Sequence, residues 1–124
     1  MNEEMDYVKL GRSGLKVSRL CLGTAFRGYW NGHTDAETAT ETIRKAVEGG
    51  INFIDCANYY FQGRCEELLG RAVRDMGNRD DLVITTKVWS QIGEGVNDRG
   101  LSRFHIMREV CLLYTSPSPR DPWK

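Results

Sequence analysis

Asp55, Tyr60 and Lys87 put a carboxylate, a phenol and an ammonium into one short stretch of chain. A phenol of ordinary pKa, about 10, holds its proton too tightly to be an ideal acid near neutrality, and a neighbouring ammonium favours the phenolate. Lys87 would therefore activate Tyr60, and Asp55 would keep that ammonium charged and oriented. The phenol could then protonate an oxygen on which negative charge develops, a contribution typically worth roughly 10²- to 10⁴-fold. If the atom bonded to that oxygen takes a hydride, no side chain can deliver it, so the set implies a nicotinamide cofactor. Taken singly each residue has an ordinary structural reading: Asp55 as a turn cap, Lys87 as a solvated cation, Tyr60 as a packing aromatic.

What must position the three is an alternation of strands and helices. Tyr7 to Val17 alternates apolar and polar around Gly11-Arg12-Ser13-Gly14, the pattern of an opening hairpin. Arg19 to Thr24 reads as a buried strand that ends in a Gly-Thr turn. Thr34 offers an N-cap hydroxyl with Glu37 three residues on, predicting a helix there with Ala39, Ile43, Ala46 and Val47 as its apolar stripe and Gly49-Gly50 as its stop. The cycle repeats with a strand from Ile51 to Asp55, a loop to Arg64 and a helix from Glu66 to about Arg74. A strand from Leu82 to Lys87 follows, then a glycine-containing loop and a helix from near Ser102. Three such cycles predict parallel strands with crossover helices, in a doubly wound sheet or a (β/α) barrel. The first strand is not followed by G-x-G-x-x-G, which favours the barrel. In that architecture functional groups gather at the C-terminal ends of strands, where Thr24, Asp55 and Lys87 fall, with Tyr60 just beyond.

The 124 residues hold 17 Lys plus Arg against 17 Asp plus Glu, so no net field favours nucleic acid, an anionic membrane or acidic substrates. The acidic start lacks the pattern of a signal peptide and no apolar run reaches membrane-spanning length, which predicts a cytoplasmic protein without membrane insertion. Cys21, Cys56, Cys65 and Cys111 show neither zinc-ligand nor C-x-x-C spacing and are expected as reduced thiols, Cys21 and Cys56 as buried small hydrophobes. His33 and His105 have no metal-site spacing.

Several segments in order carry a family resemblance: Gly14-Leu15-Lys16-Val17-Ser18, Leu22-Gly23-Thr24, Gly50 to Tyr60, Glu66-Glu67-Leu68-Leu69-Gly70 and Val83-Ile84-Thr85-Thr86-Lys87. Over about residues 7 to 110 the chain resembles the N-terminal part of an aldo-keto reductase. Arg99 to Ile106 is most similar to the branch that holds potassium-channel β subunits and their bacterial reductase relatives. The D-x-A-x-x-Y spacing selects Tyr60 over Tyr59 as the acid. The resemblance implies a TIM barrel, NADPH (NADP+) as cofactor and reduction of aldehydes or ketones, with a small-molecule carbonyl as substrate. It also implies cofactor contacts from Gly23, Thr24 and Asp55 and catalytic roles for Asp55, Tyr60 and Lys87. Cys56 stands where the family has Thr or Ser, and Cys65 where a small residue precedes the Glu. Tyr59, Phe61 and Trp89 could wall a substrate pocket or simply pack. The rival expectation is a non-catalytic, channel β-subunit-like module that senses redox state through the cofactor.

The family's catalytic histidine follows a fourth strand, and neither His33 nor His105 matches it. A (β/α)8 barrel takes roughly 250 residues, so the expected fold is an incomplete (β/α)8 TIM barrel, a hairpin plus about three β/α units. All three prolines lie in the last eight residues, and Cys111 to Asp121 resembles the translation of a transposase-type sequencing adapter. Residues 1–110 are accordingly expected to be reductase-like and 111–124 a non-native tail. A fragment of this kind is expected to leave sheet edges and helix faces open and to lack turnover. The determinants of substrate, of NADPH against NADH and of oligomeric state are expected to lie mostly outside these residues.

Overall fold

The computed structural model of the chain describes residues 4–26, 31, 32 and 34–115; His33, Gly28 and residues 116–124 lie outside the described residues. The predicted hairpin forms from β1 (Tyr7–Lys9) and β2 (Lys16–Ser18), antiparallel with Val8 opposite Val17. It is sewn to the body of the molecule by side chains. Tyr7 Oη donates to the Gly50 carbonyl at 2.7 Å, Ser18 N–H donates to Asn52 Oδ1 at 2.7 Å, and Asn52 Nδ2 donates to the Lys16 carbonyl at 3.0 Å.

The body is a parallel sheet in the order β3 (Leu22–Gly23), β4 (Phe53–Asp55), β5 (Val83–Thr85), with crossover helices α1 (Ala36–Glu48) and α2 (Arg64–Met76) and a following helix α3 (Arg103–Thr115). The strands are shorter than the sequence predicts because the apolar runs extend past the ladder into the turns. Side-chain alternation divides the sheet. Leu22, Ile54 and Ile84 face the helices and join a core with Ala39, Ile43, Leu68, Leu69, Ala72 and Val73. Full burial of each Leu or Ile there is worth about 1.5–3 kcal/mol. The opposite face, with Cys21, Gly23, Phe53, Asp55 and Thr85, is covered by no helix among the described residues, and each of those residues keeps solvent exposure.

Local signals explain the helix ends, with one correction. Asp35 caps α1, its carboxylate accepting from Thr38 N–H at 2.7 Å, where the sequence pointed to Thr34. Both residues can cap, and the carboxylate adds a favourable charge at the positive end of the helix. Beyond α1 it is Gly50, at φ +101°, that takes the left-handed conformation. α2 begins two residues earlier than expected and ends at Gly77, whose φ of +69° lets its N–H reach the Val73 and Arg74 carbonyls. The second correction concerns Cys21. Alternation places it on the uncovered face with Asp55, so it is exposed, whereas Cys56 and Cys65 are fully buried against the helices. α3 continues in backbone to Thr115, past the expected break after Val110. None of the helices among the described residues is long and apolar enough to cross a membrane.

Candidate active site

The register sets Gly23, Asp55 and Thr85 side by side at the C-terminal ends of the three strands. Beyond them the β4–β5 pairing continues through Cys56 N–H to the Thr85 carbonyl (2.8 Å) and Asn58 N–H to the Lys87 carbonyl (3.0 Å), which fixes the backbone of Lys87. Its ammonium then lies at the centre of the predicted set. Lys87 Nζ donates to Asp55 Oδ2 at 2.7 Å, to the Cys56 carbonyl at 2.9 Å and to Tyr60 Oη at 3.1 Å, and stands 5.0 Å from the centre of the Tyr60 ring. Asp55, Tyr60 and Lys87 are thus brought together. Partial burial pulls the Lys87 pKa down, but the hydrogen bonds to Asp55 and Tyr60 and the Asp55 charge outweigh it and hold the ammonium above its ordinary 10.5. It is therefore charged throughout the neutral range.

Tyr60 reaches this position through an unusual piece of backbone. The turn Tyr60–Gly63 carries Phe61 at φ +46° and Gln62 at φ +53°, followed by Gly63 at φ +88°. Consecutive non-glycine residues in this region store strain, and such strain concentrates at functional sites. The ring of Tyr60 meets that of Tyr59 edge-on, with centroids 5.0 Å apart.

The supporting contacts come from all sides of the sheet end. Thr85 Oγ1 donates to Asp55 Oδ1 at 2.6 Å, and Thr24 donates from both its N–H (3.1 Å) and its hydroxyl (2.8 Å) to the Asp55 carbonyl. On the helix side, Thr86 Oγ1 donates to Oε1 of the buried Glu66 in the first turn of α2 at 2.7 Å. α3 grips both loops. Buried Glu109 accepts from Asn58 Nδ2 at 2.8 Å, and His105 Nε2 donates to the Val88 carbonyl at 2.7 Å. His105 is fully buried in this structural role, with Arg108 bridging it to Asp98. Partial desolvation of the otherwise exposed Cys21 raises its thiol and the Asp55 charge adds to it, partly offset by Lys87. Burial pushes the Cys56 thiol up to about 12.

Of the three residues expected beside a cofactor, Asp55 holds the Lys87 ammonium and Gly23 is exposed, with nothing within 4 Å of where a Cβ would stand. Thr24 is fully buried and spends its hydroxyl on the Asp55 backbone. A cleft of about 630 Å³ is lined by Asn58, Tyr59, Gln62 and Gln91 to Glu94, and Tyr60 is not part of its wall. Tyr59 walls it, Phe61 packs against the core beneath Arg64, and Trp89 is 66% exposed. Sequence reasoning missed Thr85, Thr86, Glu66, Asn58 and Glu109. Only Thr85 carries a usable signal, being two residues before Lys87 and so on the same face of the strand.

Comparison with known proteins covers this whole region. Residues 19–111 match the model of the aldo/keto reductase family. A probable voltage-gated potassium channel subunit beta of Oryza sativa is 45% identical over 105 residues, 83% of this chain and 31% of its own length. The aldo-keto reductase YhdN of Bacillus subtilis is 37% identical over 107 residues, 86% of this chain and 32% of its own. The solved holo form of aldo-keto reductase AKR11C1 from Bacillus halodurans superposes with a TM-score of 0.72 at 32% identity, over 86% of this chain and 34% of that one. The chain spans about a third of the length of the relatives it matches. With a matching family model over most of its length and the Lys87 ammonium bonded to both Asp55 and Tyr60, this chain belongs to the aldo/keto reductase family.

Proposed function

We propose that the protein of which this sequence forms part reduces aldehydes or ketones to alcohols with NADPH, in a closed (β/α)8 barrel of which these residues build about three units. The observation that carries the reading is the single ammonium of Lys87 hydrogen-bonded to both Asp55 and Tyr60. The open space over Gly23, beside the partly exposed Asp55 carboxylate, suits the flat face of a nicotinamide. Bound there, the cofactor would supply the hydride. Tyr60 supplies the proton to the carbonyl oxygen, and the Lys87 ammonium stabilises the charge left on the phenolate. Asp55 holds Lys87 in place, and Thr24 serves from behind by fixing the Asp55 backbone. Gly23 and Asp55 would border the cofactor directly, and Thr24 would act on it only through the Asp55 backbone.

The test is NADPH oxidation by the complete reading frame with a reactive aldehyde. Tyr60→Phe is expected to lower kcat roughly 10²- to 10⁴-fold; turnover unchanged by that substitution refutes the assignment. The 124-residue chain itself should show no turnover, and measurable turnover would overturn that. Residues 111–124 are read as foreign sequence, which adapter codons in the source DNA would establish and unrelated codons would exclude.

A second reading follows from the plant relatives, which are named as potassium channel subunits. In it the same fold serves as a cytoplasmic redox-sensing module. Stable co-purification of the complete protein with a membrane channel, without turnover on any aldehyde, would favour it.

A further inference from the structure

An ammonium has three protons to give, and Lys87 finds three acceptors: Asp55 Oδ2 at 2.7 Å, the Cys56 carbonyl at 2.9 Å and Tyr60 Oη at 3.1 Å. The longest of these bonds is the one that proton delivery needs. Asp55 has a second oxygen, and an ionised acceptor draws a donor more strongly than a neutral phenol does. A compact ammonium on a flexible stem is free to swing toward both carboxylate oxygens and leave Tyr60. Here Thr85 Oγ1 donates to Oδ1 at 2.6 Å, which fixes the rotation of the carboxylate and fills one of that oxygen's two acceptor positions.

Thr85 is well placed to hold that bond. It stands directly opposite Asp55 in the β4–β5 ladder, and its branched Cβ restricts the hydroxyl to few orientations. The adjacent hydroxyl, Thr86, is turned to the other side of the strand and bonded to Glu66, so it cannot substitute. The titratable groups that act on Lys87 are Asp55 and Tyr60, with the Cys21 thiol further along the same face.

We propose that Thr85 is a positioning residue: by bonding Asp55 Oδ1 it fixes the rotation of the carboxylate, so that Oδ2 meets the Lys87 ammonium from one side and one N–H stays directed at Tyr60. The proposal rests on the reading of Asp55, Tyr60 and Lys87 as the proton-delivering set, and adds a hydroxyl that touches neither substrate nor cofactor.

The test uses the 124-residue chain labelled with ¹⁵N-lysine, with the Lys87 ammonium resonance assigned by its loss in Lys87→Arg and followed near neutral pH. Tyr60→Phe serves as the probe of the Lys87–Tyr60 bond. With Thr85 or Thr85→Ser in place, Tyr60→Phe is expected to shift the Lys87 resonance. With Thr85→Val, which keeps the branched shape and removes the hydroxyl, Tyr60→Phe is expected to leave it unmoved. An equal shift in the Thr85→Val background overturns the proposal while leaving the three-residue set standing. A resonance that ignores Tyr60→Phe even with Thr85 present overturns the set, and the proposal with it. Should Thr85→Val lose its folded circular dichroism spectrum, Thr85→Ala is judged by the same two outcomes.

Discussion

Ile54 is the residue on which the geometry of the site depends most directly, since it is fully buried in the central strand, one position before Asp55. Replacing it by Ala removes three carbons from a core formed by α1, α2 and the sheet. At about 0.8 kcal/mol per buried CH₂ the transfer loss is about 2.4 kcal/mol. The unfilled cavity adds to this, because strands pinned on both sides relax little, giving about 3–4 kcal/mol in all. Ile54→Val removes one carbon and should cost about 1 kcal/mol. Urea unfolding followed by circular dichroism reads both, as shifts in midpoint at constant slope. The ratio is as informative as the size. Losses below about 1 kcal/mol for both variants, or a broad transition without a clear midpoint, would mean that the side chain is not in a close-packed core. The positions of Asp55 and Lys87 would then lack the rigid support argued above.

Other substitutions separate backbone strain from packing. Gly77→Ala should destabilise by about 1–2 kcal/mol through its φ of +69° alone, since a Cβ there meets nothing within 4 Å. Gly50→Ala should cost more, because its Cβ would stand 2.8 Å from that of Met5; equal urea midpoints would refute the close approach. With the folded chain at about pH 8, a thiol reagent followed by peptide mapping should modify Cys21 and spare Cys56 and Cys65, since a thiol near 12 holds about one thiolate in ten thousand there. Labelling of Cys56 at the Cys21 rate would contradict its burial. Stability should also fall in alkali. Below pH 9.0 the Cys56 thiol is neutral folded or unfolded, and its contribution is whole. Between 9.0 and about 12 only the unfolded chain ionises it, so the native state loses on the order of 4 kcal/mol as pH rises. The raised Lys87 acts in the same direction above 10.5. Urea midpoints across that range check this, and Cys56→Ala should flatten the decline.

Much of this arrangement can be read before any coordinates. Asp55 and Lys87 are legible because each ends an apolar run, and Tyr60 is separated from Tyr59 only by the family resemblance, through its D-x-A-x-x-Y pattern. The alternation of strand and helix gives the parallel order of β3, β4 and β5. What escapes the sequence depends on contacts between distant residues. Nothing around Asn58 announces a partner 51 positions away in Glu109, and nothing in Tyr-Phe-Gln-Gly marks two left-handed residues where glycine is the usual choice. Cys21 is misread for a different reason. An apolar strand suggests burial on both faces, whereas among the described residues only one face of this sheet is covered by helices. Thr34 and Asp35 show the ordinary limit of one residue in placing a helix end when two neighbours can both cap.

The grip of α3 on the two loops bears on the order in which the molecule can be made. Asn58 is anchored by Glu109 and Val88 by His105, so the segments that carry Tyr60 and Lys87 lose an anchor until that helix has docked. During synthesis all three chemically active side chains leave the ribosome before their clamp does. The polypeptide thus passes through a stage in which Asp55, Tyr60 and Lys87 are all present and not yet fastened, and residues 105 to 109 end it.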